Sequence, residues 1–119
     1  MVATKVSHRV DLTFRAFADP TRLRILHLLR GGELCVCDIV ETIGAPQPKI
    51  SRHLAYLRRA GLVRTRKDGL WSHYSLAPAR DEFHEKLLDC LACCFGSVPG
   101  LKSDSAALRK RKSTRTCCG

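Results

Sequence analysis

The spacing of turn-forming residues between Gly31 and Leu76 constrains this chain more than any other feature. Gly31-Gly32 and Gly44 bracket a short helical stretch, about Leu34 to Ile43. Ala45-Pro46-Gln47-Pro48 makes a tight connection, and Pro48 opens a second helix that ends at Gly61. Leu62 to Lys67 reads as a strand, Asp68-Gly69 as a hairpin turn, and Leu70 to Leu76 as the return strand. Two helices joined by a short turn and followed at once by a hairpin give the layout of a winged helix-turn-helix.

The flanks complete that layout. Val10, Phe14, Phe17 and Ala18 recur at helical spacing between Ser7 and Ala18. Asp19-Pro20 is a helix start, with Asp as N-cap and Pro at the first helical position. The helix from Thr21 to Arg30 is apolar on most sides, which marks it as the central core helix. Pro78 opens a last helix running to about Phe95, and the basic, polar stretch from Ser97 reads as disordered. The expected fold is mainly α with a β-hairpin wing (α+β), in the order α-α-α-α-β-β-α. Residues 7–95 form the DNA-binding and dimerisation domain, and residues 96–119 form a flexible basic tail ending in cysteines.

Charge points to the partner. Lys and Arg total 21 against 11 acids, a formal charge of +10, which suits a polyanion. Between Pro46 and Lys67 stand Lys49, Arg52, Arg58, Arg59, Arg64, Arg66 and Lys67, with no acid among them. At about 100° per residue, Ile50, Leu54 and Leu57 share one stripe of the second helix, and Lys49, Arg52, His53, Tyr56 and Arg59 fall roughly opposite. Such a helix fits the major groove of double-stranded DNA, with its N-terminal residues reaching base edges. The candidates there are Gln47, Lys49, Ser51, Arg52 and His53, with Arg64, Arg66 and Lys67 of the hairpin on the phosphate backbone or the minor groove. Trp71 and Tyr74 read as packing residues of the hairpin. One reading head covers only a few base pairs, so a symmetric homodimer on a palindromic operator is expected, with half-sites about 34–36 Å apart or a multiple of that. Phe83, Leu87, Cys90, Leu91 and Cys94 share one face of the last helix and offer a dimer seam. With no apolar run of 18 residues and no secretory signal in the first 20, neither a membrane span nor an oxidising compartment is expected.

The seven cysteines are therefore read as thiols. Cys35 and Cys37 stand at the entrance of the short helix. Residues two apart on a regular helix point about 200° apart, so both sulfurs grip one ion only if that turn is unwound or starts non-helical. Chelation there is expected to distort the first helix of the DNA-reading motif. Thiolates select thiophilic ions over Mg²⁺ or Ca²⁺. Cys90, Cys93 and Cys94, at i, i+3 and i+4, share one side of a helical turn and supply either a third ligand or a separate site. Cys117-Cys118, on the tail, reach either place. Neither cluster lies beside a Gly-rich anion cradle, so an enzyme such as a thiol-dependent arsenate reductase is not expected.

Four segments, Ala18-Asp19-Pro20-Thr21-Arg22-Leu23-Arg24-Ile25-Leu26, Glu33-Leu34-Cys35-Val36-Cys37-Asp38, Ile50-Ser51-Arg52-His53-Leu54-Ala55-Tyr56-Leu57 and Ala60-Gly61-Leu62-Val63, resemble the ArsR/SmtB family of winged-helix metal-sensing repressors. The resemblance covers roughly residues 8–95. It implies a cytoplasmic homodimer that represses its own operon and leaves operator DNA when its inducer binds. For members with this cysteine box it implies As(III) or Sb(III) as inducer, and in one branch cadmium, lead or zinc. Arsenite-sensing members carry a third cysteine three positions after the second, where Val40 stands here. Residues 1–34 hold no cysteine, unlike the cadmium branch. Asp81 and His84 are present, but Phe83 replaces a histidine that the zinc-sensing pattern needs. The expected function is a metalloid-responsive repressor, the alternative being a thiol redox, persulfide or Cd/Pb/Zn-responsive repressor of the same fold.

Overall fold

Asp19 stops one helix and starts the next. Its carboxylate accepts from the Arg22 backbone N–H at 3.0 Å, and Pro20 fills the first helical position where no amide donor is needed. The computed structural model describes residues 8–93 and 98–114. The elements are α1 (His8–Phe17), α2 (Pro20–Leu29), β1 (Leu34–Cys35), α3 (Val36–Ile43), α4 (Gln47–Arg59), β2 (Val63–Asp68), β3 (Trp71–Leu76), α5 (Glu82–Cys93) and α6 (Pro99–Thr114). Gly44 closes α3 in the left-handed region at φ 78°, with its N–H on the Val40 carbonyl at 2.8 Å. The hairpin pairs Val63 with Leu76 through to Asp68 with Trp71, so the two-residue loop is Gly69-Leu70, one residue later than the Asp68-Gly69 turn expected from the sequence.

The core is built on α2, as its all-round apolar pattern predicts. Ile25, Leu26 and Leu29 are buried against Leu34, Ile39, Ile50, Leu54, Leu57, Leu62 and Leu91. Ile50, Leu54 and Leu57 are each 0% exposed. Burial at about 1.5–3 kcal/mol per side chain seats α4 firmly and turns its basic stripe outward. The sequence expectation of a winged helix-turn-helix is therefore met.

Three local expectations are not met. Leu34 and Cys35 do not begin a helix; they form β1, which pairs antiparallel with β3 (Leu34 with Tyr74, Cys35 with His73) and makes the sheet three-stranded in the order β1-β3-β2. The last helix of the domain begins at Glu82, not Pro78, because Asp81 caps it: its carboxylate accepts from the His84 N–H at 2.9 Å. Residues 99–114, expected to be flexible, form α6, which packs on α2 and α3. Leu101, Asp104, Leu108 and Arg111 sit at i, i+3, i+7 and i+10 and are its inward-facing positions. Among the described residues no helix is long and apolar enough to cross a membrane.

Candidate nucleic-acid interface and thiol site

On α4 the six residues from Gln47 to Arg52 include four exposed ones, Gln47, Pro48, Lys49 and Arg52, while Ile50 is buried and Ser51 half-buried. Arg58, Arg59, Arg64 and Lys67 are exposed as well. The cationic surface therefore runs without an acid from the start of α4 to Lys67 of β2. Its helical part has the width a major groove admits.

Three predicted contact residues are engaged inside the protein. His53 faces α2: its Nδ1 lies 3.5 Å from the Arg22 guanidinium and 3.8 Å from the Asp19 carboxylate. Burial lowers the His53 pKa first, and the charges of Arg22, Lys49 and Arg52 push the same way against the pull of Asp19. Tyr56 lies under Arg22, whose guanidinium carbon is 4.0 Å from the ring centroid, with Arg59 at 5.7 Å. Arg66 makes a two-pronged pair with Glu33, at 2.7 and 3.1 Å, which keeps the Glu33 carboxyl below its ordinary pKa. Trp71, expected to pack, is 45% exposed, beside a Leu70 that is 97% exposed at the hairpin tip.

Arg22 is the functional-surface residue that side-chain spacing missed. Besides Tyr56 and His53, it donates to the Arg15 and Ala16 carbonyls at 2.8 and 3.1 Å, joining the end of α1, the start of α2 and the face of α4. Nothing local in the sequence signals this, because its partners come from two other elements, α1 and α4.

The thiol site lies behind the hairpin. Cys35 is the N-cap of α3 in extended conformation (φ −72°, ψ 148°) and is buried, while Cys37 is half-buried in the first turn. Their Sγ atoms are 3.2 Å apart. Both lie within reach of one ion at the metal–sulfur length of about 2.3 Å. The start of α3 is thus already non-helical at Cys35, the second of the two arrangements that the spacing allows. Asp38, next in the chain, is fully buried and accepts from Arg111 Nε of α6 at 3.0 Å.

Two of the other candidate ligands are described, both on α5. Cys90 is half-buried and Cys93 exposed on α5, a helix that packs on α2. Cys94, Cys117 and Cys118 lie outside the described residues. Among the described residues no three metal-ligating side chains converge. The proposed seam also divides: Leu91 is buried within its own protomer, whereas Phe83 meets Phe14 of α1 edge-on at 5.4 Å, and Phe14 stays 53% exposed.

Comparison with known proteins agrees with this architecture. Residues 19–65 match the model of the bacterial regulatory proteins of the arsR family. Over 77 residues the chain is 48% identical to the uncharacterized HTH-type transcriptional regulator MJ1325 of Methanocaldococcus jannaschii, covering 64% of this chain and 86% of that relative. The chain belongs to the arsR family. Within that family it is also similar to the arsenical resistance operon repressor of Escherichia coli, 51% identical over 77 residues that cover 64% of this chain and 66% of the repressor. Among solved structures it is similar to the homodimeric winged helix-turn-helix DNA-binding domain of Mb0332 from Mycobacterium bovis, with 31% identity and a TM-score of 0.60 over 71% of this chain and 72% of that one. The arsR-family match spans the Asp19 cap, the thiol pair, α4 and the start of β2.

Proposed function

We propose that this arsR-family regulator is a cytoplasmic repressor that holds palindromic operator DNA as a homodimer and releases it when As(III) or Sb(III) binds at Cys35 and Cys37. The observation that carries the reading is the 3.2 Å approach of the two sulfurs at the junction of the wing sheet and the first helix of the helix-turn-helix. Cys35 is paired through its backbone to His73 of β3, and Cys37 is wound into α3. An ion bonded to both ties the hairpin to α3 at a fixed angle. The hairpin and α4 then no longer keep the relative placement that a continuous cationic surface needs. Release therefore comes from reorienting two elements rather than from unwinding one.

The dimer reading rests on the Phe14–Phe83 pair, which joins an exposed Phe14 of α1 to a half-buried Phe83 of α5. A second copy covers this pair and doubles the DNA contacts. The similarity to an arsenical resistance operon repressor and the approach of Cys35 and Cys37 support the choice of inducer.

A mobility-shift titration of operator DNA with and without arsenite tests the proposal. The wild type is expected to release DNA as arsenite saturates. The combined Cys35→Ser and Cys37→Ser variant is expected to bind DNA normally and to stay bound. Release by peroxide or polysulfide alone, with arsenite inert, would replace the metalloid by a redox signal.

A further inference from the structure

The end of α2 and the second half of α6 leave a cleft of about 210 Å³ between them, lined by His27, Arg30, Ser105, Arg109 and Lys112 over an apolar base of Leu28 and Leu108. Ser105, Leu108, Arg109 and Lys112 follow one another at 3-4 spacing, so α6 presents them on one side. No carboxylate lines the cleft. Among the described residues none of Arg30, Arg109 and Lys112 has an ion-pair partner, and all three are exposed. His27 is the opposite case. It is 1% exposed, and neither of its ring nitrogens has a hydrogen-bond partner among the described residues. Burial first, and then the charge of Arg30, lowers its pKa against the pull of Asp104, so at neutral pH the ring is uncharged and has one N–H to donate. The protein's own acceptors are already engaged. Asp104 is held through both oxygens by Arg24, at 2.8 and 2.9 Å. The carbonyls of His27, Leu28 and Leu29 that end α2 accept from the backbone N–H groups of Arg30, Gly31 and Gly32 at 3.2, 3.4 and 3.1 Å.

We infer that the α2–α6 cleft is a binding site for a small tetrahedral oxyanion of the phosphate class, held by Arg30, Arg109 and Lys112, with Ser105 and His27 as neutral donors. Guanidinium forks match the paired oxygens of such an ion, and the ammonium of Lys112 adds a point charge. A buried ring without a partner loses no hydrogen bond by turning its N–H toward an ion that arrives. The ring also separates a free ion from a DNA backbone: a free ion enters the cleft, whereas a duplex meets only the exposed cations at its rim. The bound ion ties α6 to α2. Through α6 it bears on both ends of α3, because Arg24, gripped by Asp104, touches the Ile43 carbonyl at 3.4 Å and Arg111 donates to Asp38 at 3.0 Å. The site is independent of the inducer proposed for Cys35 and Cys37.

Two measurements on the full-length protein test this, both with millimolar inorganic phosphate at constant ionic strength and chloride as the balancing ion. In the first, calorimetry and thermal melts follow binding. Saturable uptake by the wild type is expected, with a Tm above that of the chloride control. Arg30→Ala plus Arg109→Ala, at exposed positions, is expected to bind phosphate about tenfold more weakly, the loss that removing one charge-assisted hydrogen bond brings, and to show the same Tm in both salts. Lys86→Ala plus Lys102→Ala removes two exposed cations elsewhere and is expected to keep wild-type affinity. In the second, ring-nitrogen NMR follows the His27 signals, assigned by their loss in His27→Leu; they are expected to move with the same saturation. An equal response to phosphate and chloride, or equal weakening in both double variants, makes the cleft an ordinary solvated basic face and overturns the inference. His27 signals that answer a short DNA duplex but not phosphate make the cleft a backbone contact and overturn the free oxyanion.

Discussion

Arg111 donates from Nε to the carboxylate of Asp38 at 3.0 Å, and the Asp38 side chain is 0% exposed while that of Arg111 keeps 22%. The pair fastens the last turn of α6 to the first turn of α3, beside Cys37. Arg111→Ala removes a charge-assisted hydrogen bond to a buried acid, worth about 1.5–3 kcal/mol. A drop in Tm of roughly 5–10 °C is expected for a domain of this size. Lys112→Ala, one residue on and exposed, is expected to leave Tm unchanged. Paired thermal melts check this, and equal Tm values for the two variants would deny α6 a docked role.

Arg22 over Tyr56 predicts a different split. The guanidinium lies 4.0 Å from the ring centroid and also holds two carbonyls at the α1–α2 junction. Tyr56→Phe keeps the ring face and is expected to bind operator DNA within about twofold of wild type, since cation–π attraction needs the face and not the hydroxyl. Arg22→Ala loses the ring contact and the carbonyl bonds together and is expected to cost about 2–3 kcal/mol of stability. Denaturant melts and DNA titrations of both variants check this; a Tyr56→Phe defect as large as that of Arg22→Ala would mean the hydroxyl, not the stack, matters.

Burial lowers the pKa of His27, His53 and His84 below the ordinary value. After burial, Arg30 adds to the shift at His27, Arg22 and the α4 cations at His53, and Arg80 at His84. Near its ordinary pKa of about 6.5 an unfolded histidine takes up a proton that the folded protein declines, so the unfolded state binds more protons and stability falls with falling pH. The stability is fully present above about pH 6.5 and is lost toward the lowered folded values. Tm is expected to fall between pH 7.5 and pH 5.5. His27 is 1% exposed, and neither ring nitrogen has a hydrogen-bond partner among the described residues. His27→Leu is therefore expected to flatten the fall, and a Tm constant across this range would contradict the assignment.

Local signals in the sequence carried most of the architecture. The Asp19-Pro20 cap, the Gly44 stop and the Asp68-Gly69 turn act within a few residues, and each element they bound is present. What escaped was set by partners far along the chain. Leu34-Cys35 continues a helical apolar pattern and becomes a strand only because β3 offers a free edge. The inward stripe of α6 is half polar, so it reads as solvated until Arg24 and Asp38 neutralise Asp104 and Arg111. The cationic face of α4 followed directly from helical spacing. The turning of His53 toward Asp19 did not, since a histidine beside the boundary of the stripe can point either way.

The pairing of Arg66 with Glu33 separates two cations that sequence reading treats alike. Arg66 holds both carboxylate oxygens of Glu33, at 2.7 and 3.1 Å, whereas Arg52 is exposed on the outer face of α4. Each phosphate neutralised by a protein cation releases counterions and steepens the fall of log K with log salt by about 0.9. Arg52→Ala is expected to weaken operator binding and to reduce that slope by about 1. Arg66→Ala is expected to change the slope by much less, because the lowered pKa of Glu33 keeps its carboxylate charged and the pair intact at neutral pH. Glu33→Gln removes the competing charge and is expected to make Arg66 count, raising both affinity and slope. Fluorescence anisotropy on one operator at several salt concentrations measures all three variants. Equal slope losses for Arg52→Ala and Arg66→Ala would show that DNA takes Arg66 away from Glu33 on binding.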